Sequence, residues 1–391
     1  MNNLEFSLKT RLKFGEKEAL NVGKYLKDMK LNRIAVIVDS GVFNLDYIKE
    51  ILKSIKKENF SELKIWEYSL KAEPDYDFLD ETKLEFLDEK QKPTVDCFVG
   101  IGGGSVMDIA KGLATLTTNP GEARKYRGFP TDIIPSLPTI TMPTTAGTGS
   151  EVTFNAVFVD LKEKKKLGIN TTNNFPVLTI LDPNLVSSCP KSVATFSGID
   201  CLVHVLEAYS ALGSNYLSRV FAKEGFKLVF NNLLQTLDNP KNLDGWANLQ
   251  LGSYFGGLSL LGSGGGPTGA LSYILGVHFN VPHGLAGAVF LPHIVEHNVR
   301  NGYDYEELYD TIAGADKFLD KADKNRLFSE KLFKLCKDLS VPLTLRGFGV
   351  DEKNIDILLK EIKNYGKAFS QNPAPFSVQK GEELINKLIQ K

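Results

Sequence analysis

Asp200 and His204 stand four residues apart in GIDCLVHVLEAY (198–209), a run with no proline and no internal glycine. In a helix, positions i and i+4 lie on one face about one turn apart, so the run would present a carboxylate beside an imidazole. That pair can share one divalent cation. The chain has five histidines, and four of them, His278, His283, His293 and His297, crowd into one twenty-residue stretch well downstream of the pair. His283 sits between Pro282 and Gly284 at an expected helix start, while His293 follows Pro292. Taken singly, each of these four reads as a core or surface imidazole as readily as a ligand. Their crowding is what hints at a metal site.

A second kind of chemistry is suggested upstream. Val95–Ile101 reads as a buried strand that runs into Gly102-Gly103-Gly104-Ser105 and then the helical VMDIAKGLATL. Strand, glycine loop and helix together expose backbone N–H groups to an anion such as a pyrophosphate, and small residues let the backbone approach it. The spacing is not GxGxxG. Asp108 and Lys111, in the first turns of that helix, are either an exposed charge pair or ligand contacts. A strand at Thr139–Met142 leads into PTTAGTGSE (143–151), where the hydroxyls of Thr144, Thr145, Thr148 and Ser150 on a glycine-containing loop suit ribose and phosphate oxygens. RIAVIVD (33–39) reads as a parallel strand delivering Asp39 at its carboxyl end. There it would either bond a ribose 2′-hydroxyl and disfavour NADP, or cap a helix.

Further elements must hold these residues in place. Tyr47–Lys57 has helical periodicity, while Leu63–Tyr68 and Val177–Leu181 read as strands, the last closed by Asp182-Pro183. Beyond about residue 185, β-branched runs give way to 3.6-residue periodicity at Asp200–Ser210, Tyr216–Leu234, Trp246–Phe255, Tyr305–Asp316 and Lys324–Leu339. The expected organisation is therefore an α/β nucleotide-binding domain over 1–184 and an all-α domain over 185–391. A cleft between two such domains is a common place for an active site.

The composition narrows the functional classes. A net charge of −1 across 391 residues gives no basic field for nucleic acid, and the run Lys162–Lys166 reads as a solvated turn. No apolar run reaches the roughly 18–20 residues a membrane span needs. The opening MNNLEFSLKT lacks the pattern of a secretory leader, and Cys97, Cys189, Cys201 and Cys336 are scattered in apolar contexts. They read as reduced thiols of a cytoplasmic protein.

Taken together, GGGSVMDIAK (102–111), PTTAGTGSE (143–151), LDP (181–183), the D-x-x-x-H-x-x-E-A-Y pattern from Asp200 to Tyr209 and PHGLAGAVFLPH (282–293) resemble the iron-containing (group III) alcohol dehydrogenase family, in order and across almost the whole chain. The resemblance implies a dehydroquinate-synthase-like fold and an NAD-binding first domain, with pyrophosphate on Gly102–Ser105. It also implies cofactor contacts from Thr144, Thr145, Thr148 and Lys166, and an NAD preference set at Asp39. The metal, iron or zinc, would be held by Asp200, His204 and His283. A further family histidine ligand lies fourteen residues before the PHG histidine, where this chain has Gly269. Another, near the nicotinamide, lies ten before, where it has Tyr273.

Three readings follow from that departure. The metal stays on Asp200, His204 and His283 with an open position, His278 replaces the missing ligand, or the metal is weak or lost. Gly269 removes bulk and Tyr273 adds a hydroxyl, which suits a polyhydroxylated substrate better than ethanol. The stretches KLGIN (166–170) and ALSYILGVH (270–278) resemble the branch that oxidises the terminal hydroxyl of the eight-carbon sugar acid Kdo. The expected activity is NAD-linked, metal-assisted oxidation of an alcohol or reduction of an aldehyde, with Tyr273 and His278 as candidate catalytic side chains. The rivals are a non-redox cyclase or lyase on the same scaffold, and a metal-free NAD-binding protein without turnover. A homodimer is the expected assembly.

Overall fold

The computed structural model describes Leu4, residues 6–69 and residues 73–390. The chain divides into two compact units. One is α/β and spans Glu5–Thr145 and Gly149–Cys189; the other is helical and combines Pro190–Lys391 with the short insert Ala146–Thr148.

In the α/β unit the strands are β1 (Arg11–Phe14), β2 (Arg33–Asp39), β3 (Glu62–Tyr68), β4 (Cys97–Gly102), β5 (Thr139–Pro143), β6 (Val157–Asp160), β7 (Lys165–Gly168) and β8 (Leu178–Leu181). Six of them form one sheet in the order β1-β8-β5-β4-β2-β3, and β6 pairs antiparallel with β7. Every pairing in the larger sheet is parallel. That explains why β2 is apolar without a break from Ile34 to Val38: both of its faces are covered. Ile34, Val36 and Val38 pack on one side with Ile48, Ile51 and Ile55 of helix α1 (Asp46–Lys56). Ala35 and Ile37 pack on the other with Ile109 and Leu113 of helix α2 (Gly104–Leu116).

Chain order reverses at β2, which has β3 on one side and β4 on the other. Val38 is in register with Ile101, so Asp39 and Gly102 leave neighbouring strands at the same edge. In open α/β sheets, ligands bind beyond the carboxyl ends of the strands at such a switch point.

The sheet edge opposite that one is locked at Asp96, which accepts from the Arg33 and Asn32 N–H groups and from the Arg33 guanidinium at 2.8 and 2.9 Å. Partial burial works against its charge, but these donors more than offset that and hold the Asp96 carboxyl below its ordinary value. A carboxylate with a depressed folded-state pKa stabilises the fold fully above its unfolded value, here 3.8, and loses that contribution as pH falls through the folded value. Asp96→Asn should therefore lower Tm at neutral pH and flatten the acid limb of a Tm-against-pH curve. An unchanged acid limb would remove this assignment.

The helical unit is built on α3 (Lys191–Ser210), α4 (Tyr216–Asp238), α5 (Leu243–Leu260), α6 (Pro267–Phe279), α7 (His283–Arg300), α8 (Lys321–Asp338) and α9 (Val378–Gln390). Helix α3 is buried along nearly all of Gly198–Ser210, as expected of a helix that is apolar all round. It also begins nine residues before the Asp200 start expected from periodicity, with Pro190 at its N-cap. The expected helix Tyr305–Asp316 is reduced to Glu306–Tyr309, because Gly314 takes a left-handed conformation (φ 70) and the chain turns at Ile312–Ala315. Helix α6 was not legible by periodicity, its apolar residues being distributed all round. Nor were the short strands β1, β6 and β7.

Helix α6 ends at Asn280, whose left-handed backbone (φ 54) turns the chain, and Pro282 then opens α7 with His283 in its first position. A Cβ added to Gly284 would lie 1.9 Å from the Phe196 carbonyl oxygen and 3.0 Å from the Asp200 Cβ. Only glycine lets α7 start this close to α3. Gly284→Ala should cost about 1–3 kcal/mol, the usual price of overpacking, in urea unfolding. A wild-type midpoint would show that the close approach is not required.

Candidate functional site

Asp200 and His204 lie one turn apart on α3, as their spacing predicts, and His283 reaches them from the start of α7. Asp200 Oδ1 is 3.6 Å from His204 Nε2 and 3.8 Å from His283 Nε2. One donor atom from each residue lies within 4.8 Å of the other two. These separations exceed hydrogen-bond length. They are close to the roughly 3.4 Å edge expected between ligands that sit about 2.1 Å from one tetrahedral ion. Two imidazole nitrogens and a carboxylate oxygen also suit iron or zinc chemically. His204 Nδ1 is buried with no hydrogen-bond partner among the described residues, so no acceptor there fixes the ring. The residues present therefore fit a divalent ion.

Helix α6 supplies the surroundings. Tyr273 stacks on the His283 ring, with centroids 4.5 Å apart and planes 20° from parallel. Gly269 is one turn earlier on the same face of α6. The glycine-rich segment Gly264–Ser272 is helical from Pro267 onward. Its start is held by Glu207 of α3, a buried carboxylate that sequence reasoning quoted in the motif but gave no role. Glu207 accepts from the N–H groups of Gly266 at 2.7 Å, Thr268 at 2.5 Å and Gly269 at 3.2 Å. Burial pushes its carboxyl above the ordinary value, and these N–H groups pull the other way. The signal available in the sequence was its place three residues after His204 on an otherwise apolar helix.

The structure does not bring His278 into the Asp200–His204–His283 group. Five positions beyond Tyr273 turn it about 140° round α6, away from the stacked face. His293 is buried with its ring against Phe333, and His297 Nε2 meets the Pro375 carbonyl at 3.0 Å. Neither joins the group.

In the α/β unit, Gly103 caps α2 and the Thr144 N–H donates to the Gly102 carbonyl at 2.9 Å, tying the two loops together. The Thr145 side chain lies against Gly103. Lys111 is not the exposed half of a charge pair: it is completely buried. Its ammonium donates to the Ser150 carbonyl and Oγ at 2.9 and 2.7 Å and pairs with Asp108 at 3.1 Å. Burial pushes its pKa down, while Asp108 works against that. Asp108 in turn accepts from Ser150 Oγ at 2.5 Å and from the Val157 N–H at 3.0 Å. Asp108, Lys111 and Ser150 thus brace the loop after β5 against α2.

Asp39 accepts from the Gly41 N–H at 2.8 Å, the helix-cap alternative of its two readings. Lys166 lies on β7 and pairs with Glu73 at 2.7 Å. Thr148 falls in the insert that groups with the helical unit. Beside it, a Cβ on Gly147 would sit 2.3 Å from the Ser197 carbonyl, so this insert packs on α3 three residues before Asp200. That approach and the one at Gly284 flank the same stretch of helix.

Residues 9–183 match the family described as iron-containing alcohol dehydrogenase, and residues 194–389 match the C-terminal part of the same family. The 1,3-propanediol dehydrogenase of Citrobacter freundii is 31% identical over 72% of this chain and 73% of its own. Long-chain-alcohol dehydrogenase 1 of Geobacillus thermodenitrificans is 28% identical over 90% of this chain and 88% of its own. Among solved structures, a 1,3-propanediol oxidoreductase superposes with a TM-score of 0.90 at 23% identity, covering 99% of this chain and all of the other. The sulfoacetaldehyde reductase of Bifidobacterium kashiwanohense, solved in complex with NAD+, gives 0.88 at 21% identity and covers both chains fully. Among the described residues no helix is long and apolar enough to cross a membrane. This chain belongs to the iron-containing alcohol dehydrogenase family, and is an NAD-linked, metal-dependent oxidoreductase of alcohols and aldehydes.

Proposed function

We propose that the substrate is a polar, polyhydroxylated and sugar-like alcohol, or the matching aldehyde, and that Asp200, His204 and His283 hold the divalent ion. The observation that carries this reading is the face of α6 beside His283, which has no side chain at Gly269 and a phenol at Tyr273. Missing bulk admits a longer substrate, and a hydroxyl offers it a hydrogen-bond partner. The relatives' names range from a short diol to long-chain alcohols, so family membership alone leaves the choice open.

In the oxidative direction an alcohol loses a hydride to NAD+ and a proton to water, giving a carbonyl compound and NADH. The bound ion supplies Lewis acidity that lowers the pKa of the alcohol oxygen, and NAD supplies the hydride acceptor. The chain's own residues do the positioning. Tyr273 holds the His283 ring by stacking and turns its phenol to substrate hydroxyls. The N–H groups around Gly102, Gly103, Gly104 and Ser105 receive the pyrophosphate at the start of α2. Thr144, Thr145 and Thr148 bond ribose and phosphate oxygens. Asp39 caps the helix after β2 through Oδ1, and its negative charge at the strand end also disfavours a 2′-phosphate, so NAD is the preferred cofactor over NADP. Asp108 and Ser150, already joined to Lys111, hold the second loop in shape for that purpose.

The test is metal analysis with steady-state kinetics on purified protein, using polyols and sugar acids alongside ethanol and 1,3-propanediol. Chelator treatment should abolish NADH production and added iron or zinc should restore it. Asp200→Ala and His204→Ala should each lose bound metal and more than the ~10–100-fold in kcat/KM that removal of an outer-shell partner costs. The polyols should give higher kcat/KM than ethanol. Full activity in a metal-stripped His204→Ala protein would refute the ligand assignment, and a preference for ethanol would refute the substrate class.

A further inference from the structure

Asp200, His204 and Glu207 lie on one face of α3, and the structure connects Glu207 to the third ligand, His283, by a second route. The Glu207 carboxylate, 7% exposed, collects the N–H groups of Gly266, Thr268 and Gly269 and so fixes where α6 begins. Tyr273, one turn beyond Gly269 on the same face of α6, lies flat on the His283 ring. His283 then faces Asp200 and His204, two turns and one turn back along α3 from Glu207. The path leaves α3 at Glu207, runs along α6 to Tyr273 and returns to α3 through His283.

We infer that Glu207 is a positioning residue for metal binding: it sets the His283 imidazole through α6 and Tyr273, without being a ligand itself. The inference rests on the reading of Asp200, His204 and His283 as the metal site. Its physical basis is that both Glu207 oxygens are committed to backbone donors, Oε2 to Gly266 and Oε1 to Thr268 and Gly269. Replacing Glu207 by glutamine puts an NH2 group against at least one of those N–H groups, so the start of α6 must shift. The stacked pair at Tyr273 and His283 transmits such a shift, because a ring held face to face moves with its partner. A role confined to stability would lower Tm and leave the metal affinity of the folded protein unchanged.

The experiment is cobalt(II) binding to the full chain after metal removal, followed by visible absorption in competition with a chelator, with circular dichroism to establish folding. Glu207→Gln should weaken cobalt binding by about 10–100-fold, the range known for residues that orient metal ligands. Tyr273→Phe keeps the stacked ring and should bind cobalt like wild type, whereas Tyr273→Ala should weaken it as Glu207→Gln does. The double variant Glu207→Gln/Tyr273→Ala should be no weaker than the poorer single one, since both changes cut the same path. Wild-type cobalt affinity in folded Glu207→Gln protein, or independent additive losses in the double variant, would overturn the inference. Should Glu207→Gln fail to fold, equal cobalt affinity for Tyr273→Phe and Tyr273→Ala overturns it instead. If wild type and Asp200→Ala take up cobalt alike, the metal-site reading itself falls, and the inference with it.

Discussion

A buried carboxylate has to be matched by donors or by positive charge, and α3 carries two of them on one face, Asp200 and Glu207. The helical unit answers them differently. Glu207 is matched by backbone, receiving three N–H groups from the start of α6, where the aligned peptide dipoles also favour a negative charge. Asp200 faces two imidazole nitrogens that stand beyond hydrogen-bond reach, an arrangement that a shared cation would complete. One carboxylate is therefore structural and the other is kept available. The difference follows from what each meets: peptide N–H groups at Glu207, side-chain nitrogens at Asp200.

The same logic appears in the α/β unit with the sign reversed. Lys111 is a fully buried ammonium, satisfied by Asp108, by the Ser150 hydroxyl and by backbone carbonyls of the loop after β5. Because Lys111 and Asp108 are on α2 and their Ser150 partner is in the loop after β5, the phosphate-type turn at Gly102–Ser105 and the threonine-bearing loop are fixed to one helix. Fully satisfied buried polar groups of this kind rigidify what they join. Each unit thus spends one buried charge on holding still the backbone that its site depends on, Glu207 in one and Lys111 in the other.

Much of this was legible in the sequence. The strands β2, β3, β4, β5 and β8 announce themselves as apolar runs ending in turn residues, and the i, i+4 spacing of Asp200 and His204 is a property of any helix. His283 was legible only through its proline and glycine neighbours. What sequence could not supply is the direction in which a charged side chain points. Asp108 and Lys111 at i, i+3 look the same whether they face solvent or the core, and only the position of the following loop decides it. Glu207 was hidden for a related reason: its partners are backbone N–H groups about sixty residues away, and backbone leaves no mark in a residue pattern. Helix α6 escaped because burial all round removes the periodicity by which amphipathic helices are read.

The glycines at the start of α6 separate into two kinds when their surroundings are compared. At Gly266 a Cβ would fall 2.9 Å from Glu207 Oε1, an oxygen already pinned by two N–H groups, so glycine there is a consequence of the buried carboxylate. At Gly269 a Cβ would meet, among the described residues, Glu207 Oε2 at 3.3 Å, a looser approach than at Gly266, although the Gly266 N–H holds that oxygen too. Packing therefore presses for glycine less strongly at 269 than at 266. A side chain at that position would project on the same face of α6 as Tyr273, whose ring lies on His283. What glycine supplies there is open space on the face of α6 that carries Tyr273, the space on which the proposed polyhydroxylated substrate relies.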